Sequence, residues 1–258
     1  MDVMFYEVFS EEEEALRGYL PKEIQAGFSK EIIPQDPPLD PPAKLISIRT
    51  QSTVPLSWAE KLSGILTRSS GYDHLLPIRE KRRDLPFGYL PTYCSRAMAE
   101  HALLMILALS KRLKKQIRHF ERFNRDGLTG TECAGKILVV LGVGNIGREM
   151  VSLGRGIGMR VLGVDLVIRV KDLEYVTLEE GIRSADVLVS ALPLTETTKG
   201  MLNAARLRKA RKGVLFVNVS RGEISPIADL KALLEEGLLG GVGLDVYEEE
   251  GVFAEHLR

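Results

Sequence analysis

Residues 136–165, KILVVLGVGNIGREMVSLGRGIGMRVLGVD, decide the fold. The apolar run Ile137–Leu141 stops at Gly142-Val143-Gly144-Asn145-Ile146-Gly147. A stretch with helical spacing follows, then a second apolar run that ends in Asp165. Gly142 makes the tight strand-to-helix turn, Gly144 lets backbone approach a pyrophosphate, and Gly147 lets helix and sheet pack closely. The helix N-terminus supplies N–H groups and a positive dipole end for the diphosphate. Asp165, at the tip of the second strand, accepts hydrogen bonds from both adenosine ribose hydroxyls and repels a 2′-phosphate. Glycines after a strand and before a helix, with an acid about 20 residues on, predict a dinucleotide site. The expected cofactor is NAD, favoured over NADP.

The 258 residues are enough for two domains and a large core. Lys and Arg balance Asp and Glu at 35 each, so no net field draws nucleic acid or an anionic membrane. Cys94 and Cys133, far apart, suit a reducing compartment and make neither a disulfide framework nor a metal cluster. The start, MDVMFYEVFSEEEE, has no basic n-region and no apolar core of a signal peptide. The most apolar helical stretch, residues 97–109, is interrupted by Glu100 and His101 and is too short to span a bilayer. A soluble, cytoplasmic protein is expected, with neither a membrane nor a nucleic-acid partner.

Before residue 92 short apolar runs alternate with helical stretches. Strands are expected at 3–8, 24–28, 44–49, 65–69 and just before Pro91; helices at 11–20, 55–62 and 73–81. The proline-rich 34–42 is expected to be an extended connection. Such alternation implies a parallel sheet covered on both faces. Residues 95–124 read as one long helix, buried in its first half, with His101 as a satisfied core residue. Its second half is basic, yet Leu113, Ile117, Phe120 and Phe123 recur at helical spacing. A solvated face or a subunit contact is favoured there over a nucleic-acid patch. From Lys136 onward the alternation predicts about five parallel strands.

Three further positions stand at the carboxyl ends of predicted strands, where ligands collect in open parallel sheets. Arg221, in NVSRG, suits a two-pronged grip on a carboxylate or polarised carbonyl; alone it reads equally as a surface capping residue. Asp245 precedes Tyr247 and the acids 248–250, which alone read as an exposed acidic loop. The turn 68–74, RSSGYDH, exposes N–H groups that suit a carboxylate, or is only a turn.

Taken together, VLGVGNIG with Asp165, ALPLTETTKGMLN, VNVSRGEI, GVGLDVYEEEGVF, RSSGYDH and YCSRAMAEHA resemble the D-isomer-specific 2-hydroxyacid dehydrogenase family. The likeness spans nearly the whole chain, loosely before residue 44, and DVYEEEGVF is most similar to the D-lactate dehydrogenase branch. It implies an α/β fold of two domains flanking a cleft. A flavodoxin-like parallel-sheet domain, 1–92, faces the substrate, and a Rossmann-type dinucleotide-binding domain, 93–258, holds NAD and a helix that builds a homodimer. The implied reaction is reversible hydride transfer between NAD(H) and a small 2-hydroxy or 2-keto acid, of the D-lactate and pyruvate kind.

The resemblance also implies roles. Arg221 binds the substrate carboxylate and keto oxygen. Glu250 hydrogen-bonds a catalytic histidine and raises its pKa. Asp245 contacts the nicotinamide carboxamide, Pro193 borders the nicotinamide side, and Val219 joins the cofactor contacts. Asn145 and Ile146 meet the pyrophosphate. Ser70 and Gly71 offer N–H groups to the substrate carboxylate, and Tyr93 lines the pocket.

One departure is plain. The family's acid/base histidine sits in a Pro-His-x-Ala segment tens of residues beyond the DVYEEE loop, and residue 258 falls before it. His74, His101, His119 and His256 do not stand at that position. A piece of a longer enzyme is expected, because Arg221 and Glu250 are both retained. The alternative is an NAD(H)-binding sensor or co-regulator without efficient catalysis.

Overall fold

The computed structural model describes residues 1–248. The chain divides into two compact units, Met1–Tyr93 and Cys94–Arg258.

The first unit runs β1 (Val3–Phe5), α1 (Ser10–Tyr19), β2 (Ala26–Phe28), β3 (Leu45–Ile48), β4 (Gly64–Thr67), α2 (Leu76–Lys81) and β5 (Phe87–Gly88). Its five strands are all parallel, in the order β2-β1-β3-β4-β5. That is the flavodoxin-like doubly wound order. Ile46, Ile48, Trp58, Ile65 and Ile78 fill its core. The helix expected over 55–62 forms only as a single 3-10 turn, Leu56–Trp58. Pro55 starts that turn, and the Trp58 indole N–H donates to the Pro38 carbonyl at 2.8 Å, anchoring the ring in the core.

The second unit runs α3 (Ser95–Ser110), α4 (Leu113–Phe120), β6 (Ile137–Leu141), α5 (Asn145–Gly156), β7 (Arg160–Val164), β8 (Glu174–Tyr175), α6 (Leu178–Ser184), β9 (Val187–Ser190), α7 (Ala204–Leu207), β10 (Val214–Asn218), α8 (Ile227–Glu235) and β11 (Leu239–Leu244). Its six parallel strands lie in the order β11-β10-β9-β6-β7-β8. Renumbered within the unit this is 3-2-1-4-5-6 read from the other edge, the doubly wound order of dinucleotide-binding domains.

Strand β6 shows why its sequence is a continuous apolar run. Leu138 and Val140 pack in the core under α3 and α5, while Val139 and Leu141 pack on the other face with Ile182, Phe216 and Leu233. All four are fully buried, as the central strand of a two-sided parallel sheet requires. Each such side chain contributes about 1.5–3 kcal/mol relative to exposure.

Two elements of the second unit also differ from the sequence expectation. The long helix over 95–124 is broken at Arg112, whose φ of +54° is left-handed. The break is fixed from outside: the Ser110 carbonyl accepts the Thr131 N–H at 2.9 Å and the Lys111 carbonyl accepts Gln116 Nε2. And the sheet has a sixth strand, β8, only two residues long and at the edge.

Gly147 sits where α5 crosses the tip of β6, and a Cβ there would overlap the Gly142 carbonyl. Gly147→Ala is expected to destabilise the protein by about 2–3 kcal/mol, read by urea unfolding. A change under about 0.5 kcal/mol would mean that this packing is looser than described.

Candidate functional site

The turn after β6 is built from backbone contact. Gly142 has φ +89°, and a Cβ on it would lie 2.7 Å from the Ala191 carbonyl oxygen in the segment that leaves β9. Strands β6 and β9 are neighbours whose connections run to opposite sides, so this is the topological switch point of the sheet. Gly144 caps α5 without a side-chain hydrogen bond, and a Cβ built on it meets nothing within 4 Å. The N-terminus of a 12-residue helix, capped by a glycine with open space over it, is a fitting cradle for a diphosphate. Asn145, Ile146 and Gly147 form its first turn.

Asp165 closes the turn from the side. Its Oδ2 accepts the Val143 N–H at 2.7 Å and its Oδ1 accepts the Val167 N–H at 2.9 Å. The Arg169 guanidinium lies 3.1 and 3.2 Å from the two oxygens. The Asp165 side chain is only 13% exposed, whereas Arg169 is 43% exposed and exchangeable with solvent. A carboxylate has about four acceptor positions, so ribose hydroxyls can share it with the two amides and displace Arg169.

The neighbouring strand ends carry a buried polar knot. Asn218 ends β10 with no exposure. Its Nδ2 donates to the Arg221 carbonyl at 2.9 Å and to Ser225 Oγ at 2.8 Å. Its Oδ1 accepts the Ser220 N–H and the Ser220 hydroxyl. Because the Ser220 proton is spent on Asn218, Ser190 Oγ must donate to Ser220 Oγ, 2.8 Å away. The knot shapes the turn that carries Arg221, a half-buried residue in extended backbone whose Nη1 donates to the Ser220 carbonyl.

Gly222 then lets the segment after β11 cross close by, since a Cβ there would overlap the backbone of Tyr247 and Glu248. The Glu248 carboxylate accepts the Ile227 N–H at the start of α8, at 2.8 Å. Asp245 donates its N–H to the Asn218 carbonyl at 3.0 Å, and its Oδ1 lies 3.3 Å from His101 Nε2. His101 is therefore not the core residue expected: its side chain is 45% exposed on α3, with its ring turned to a carboxylate. The Pro193 carbonyl accepts the Thr198 hydroxyl, which also caps the Thr195 N–H. Val219 points into the core beneath α3 and α5 and offers only backbone to the edge.

In the first unit, Ser70 and Gly71 follow β4, whose end is held by buried charge. Arg68, 5% exposed, donates to Glu12, to Ser47 Oγ and to the Tyr6 carbonyl. The Glu7 carboxylate accepts three N–H groups, from Arg49, Gln51 and Ser52. Beyond β4 the hydroxyl bonds run in one sense. Ser69 donates to the Gly71 carbonyl, so Thr67 donates to Ser69, and His74 Nε2–H donates to Thr67. Tyr93, 55% exposed, is the last residue of this unit.

Gly142, Gly144, Asn145, Ile146, Gly147, Asp165, Pro193, Arg221 and Asp245 thus gather at the carboxyl edge of the second sheet, and Ser70 and Gly71 at the carboxyl edge of the first. Glu250 and His256 lie outside the described residues. Sequence reasoning passed over Asn218, although a lone amide ending an apolar strand is a signal for a buried hydrogen-bonding role. Among the described residues there is no group of three or more metal-ligating side chains, and no helix long and apolar enough to cross a membrane.

Residues 103–257 match the model of the D-isomer specific 2-hydroxyacid dehydrogenase, NAD binding domain. A glyoxylate reductase from Thermococcus kodakarensis is 32% identical over 97% of this chain and 76% of that protein. The D-lactate dehydrogenase of Escherichia coli is 32% identical over 72% of this chain and 58% of its own length. The crystal structure of D-lactate dehydrogenase from Aquifex aeolicus, complexed with NAD and lactic acid, superposes with a TM-score of 0.89 at 29% identity. The superposition covers 99% of this chain and 80% of that one.

Asn218→Asp keeps the size of the side chain but sets a carboxylate against the Arg221 carbonyl and removes both donors. A loss of about 2–3 kcal/mol in unfolding free energy is expected, by denaturant titration. Unchanged stability would mean that the knot does not hold the Arg221 turn.

Proposed function

The chain belongs to the D-isomer-specific 2-hydroxyacid dehydrogenase family, and on that premise we propose that it interconverts a small 2-keto acid and the corresponding D-2-hydroxy acid with NAD(H). Pyruvate and glyoxylate are the proposed keto acids. The bound cofactor supplies or accepts hydride at nicotinamide C4. The observation that carries the reading is the Asn218 knot, which holds Arg221 at the same sheet edge as the glycine turn and Asp165.

The proposed roles follow from charge and donor geometry. Gly144, Asn145, Ile146 and Gly147 meet the diphosphate with N–H groups, and Asp165 takes the adenosine ribose. Asp245, steadied by His101, binds the carboxamide, with Pro193 and the Val219 backbone beside it. Arg221 grips the substrate carboxylate and keto oxygen, so the oxygen is polarised as C2 accepts hydride. The resemblance assigns the proton that completes the hydroxyl to a histidine supported by Glu250. Ser70 and Gly71 hold the carboxylate by backbone N–H groups, and Tyr93 lines the pocket; on this reading Met1–Tyr93 is the substrate-facing unit. The sensor alternative rests on no feature of the described residues, and family membership favours the enzyme.

The proposed assembly is a homodimer. Helix α4 leaves Leu113, Ile117 and Phe120 at 43, 64 and 79% exposure, with Phe123 beyond it at 75%. A contiguous apolar face of this kind marks a partner surface. The proposed location is the cytoplasm, where the free thiols of Cys94 and Cys133 stay reduced.

Two measurements test this reading. Arg221→Lys retains charge and loses the planar fork, so turnover of the keto acid is expected to fall by about 100-fold or more while the NADH dissociation constant stays within about twofold. A large loss of NADH binding instead would place Arg221 on the cofactor. Ile117→Asp with Phe120→Asp is expected to convert a dimer into a monomer in sedimentation velocity, with the fold retained. An unchanged mass would remove α4 from the interface.

A further inference from the structure

A cavity of about 270 Å³ opens at the other end of the second sheet. Lys136, Asp186 and Gly213, which stand immediately before β6, β9 and β10, line it, so it lies at the amino edge of those strands. Strands of five residues at about 3.3 Å each put it on the order of 15 Å from the glycine turn. It is therefore separate from the dinucleotide site.

Its charge is unbalanced. Arg112, Lys136, Arg211 and Lys212 face it against Glu132 and Asp186. Asp186 is already committed: its Oδ2 accepts the Ile137 N–H at 2.8 Å and its Oδ1 lies 3.8 Å from Lys136. Arg112 donates to a neutral partner, the Gly127 carbonyl, at 2.9 Å. Arg211 and Lys212 make no ion pair with a described carboxylate. Three cations, Arg112, Arg211 and Lys212, thus face the cavity against the single remaining carboxylate of Glu132.

An independent observation points the same way. Ser110, 5% exposed, lines the cavity, and its hydroxyl makes no hydrogen bond to any described residue. Its backbone carbonyl is taken by Thr131, so the local fold is satisfied while the hydroxyl is left over. The hydroxyl keeps some access to solvent, so its proton can be offered to a ligand oxygen. Leu109, Met159 and Val187 give the cavity an apolar floor. The volume lies just below the range of about 300–1,000 Å³ typical of drug-sized ligands, which limits the occupant to a small molecule.

We propose that this cavity is a second ligand site that binds a small, multiply charged oxyanion, phosphate- or polycarboxylate-bearing, through Arg112, Arg211 and Lys212 with the Ser110 hydroxyl as donor. Binding there is independent of the hydride-transfer reading, because it uses none of the same residues.

The test is isothermal titration of the full chain with inorganic pyrophosphate and, separately, with citrate. Saturating NADH keeps the glycine turn occupied, and sodium chloride at matched ionic strength serves as reference. Saturable binding of at least one of them is expected; which one distinguishes a phosphate from a carboxylate occupant. Arg211→Gln with Lys212→Gln should weaken it by about tenfold or more, and Ser110→Ala by several-fold, with NADH affinity unchanged. Lys209→Gln, a cation of the same surface outside the lining, should leave it within about twofold. Absence of saturable heat with both probes would overturn the proposal. So would equal weakening by Lys209→Gln, which marks unspecific screening, or a double variant that alters only sedimentation, which marks a protein contact.

Discussion

The second unit depends on close backbone packing at the tip of β6. Gly142 lies against the Ala191 carbonyl, and Gly147 against the Gly142 carbonyl, with no room for a side chain at either place. Because these backbones touch, α5 starts directly above the strand, with its N-terminus at the switch point. Asp165 reinforces the same turn by accepting the Val143 N–H, so the acid proposed to read a ribose also holds the loop proposed to meet the diphosphate. Packing density and ligand geometry are here the same requirement.

The other strand ends are held by polar chemistry instead of glycine. Asn218, Ser190, Ser220 and Ser225 form a closed hydrogen-bond set beneath the Arg221 turn, and in the first unit Glu7 and Arg68 do the equivalent work beneath the loop that carries Ser70 and Gly71. Buried polar groups satisfied from several directions over-determine a loop, because each bond lost leaves a buried atom unpaired. Loops that carry binding residues can then be exposed at their tips yet fixed at their roots.

Much of this was legible in the sequence where the cause is local. Glycines that must lack a Cβ, and apolar runs that must be buried on both faces, disclosed the switch point and the strand series. The rest was not legible where the cause is distant. The left-handed Arg112 is set by Thr131 and Gln116 acting on the helix end, and β8 is two residues whose strand character exists only beside β7. His101 looked like a core residue because its neighbours are apolar. Its pairing with Asp245, 144 positions along the chain, follows only from where α3 meets the end of β11. Asn218 likewise needed its partners placed before its four hydrogen bonds could be counted.

We propose that this edge of the second sheet serves hydride transfer to a 2-keto acid. The most direct measurement follows nicotinamide absorbance as the protein, carried on through a Pro-His-x-Ala segment of the kind the family places after the DVYEEE loop, is given NADH with pyruvate or glyoxylate, with chiral analysis of any lactate formed. Oxidation of NADH at saturating keto acid is expected, with a product that is the D-isomer. Firm NADH binding without oxidation by either acid, or formation of the L-isomer, would contradict it.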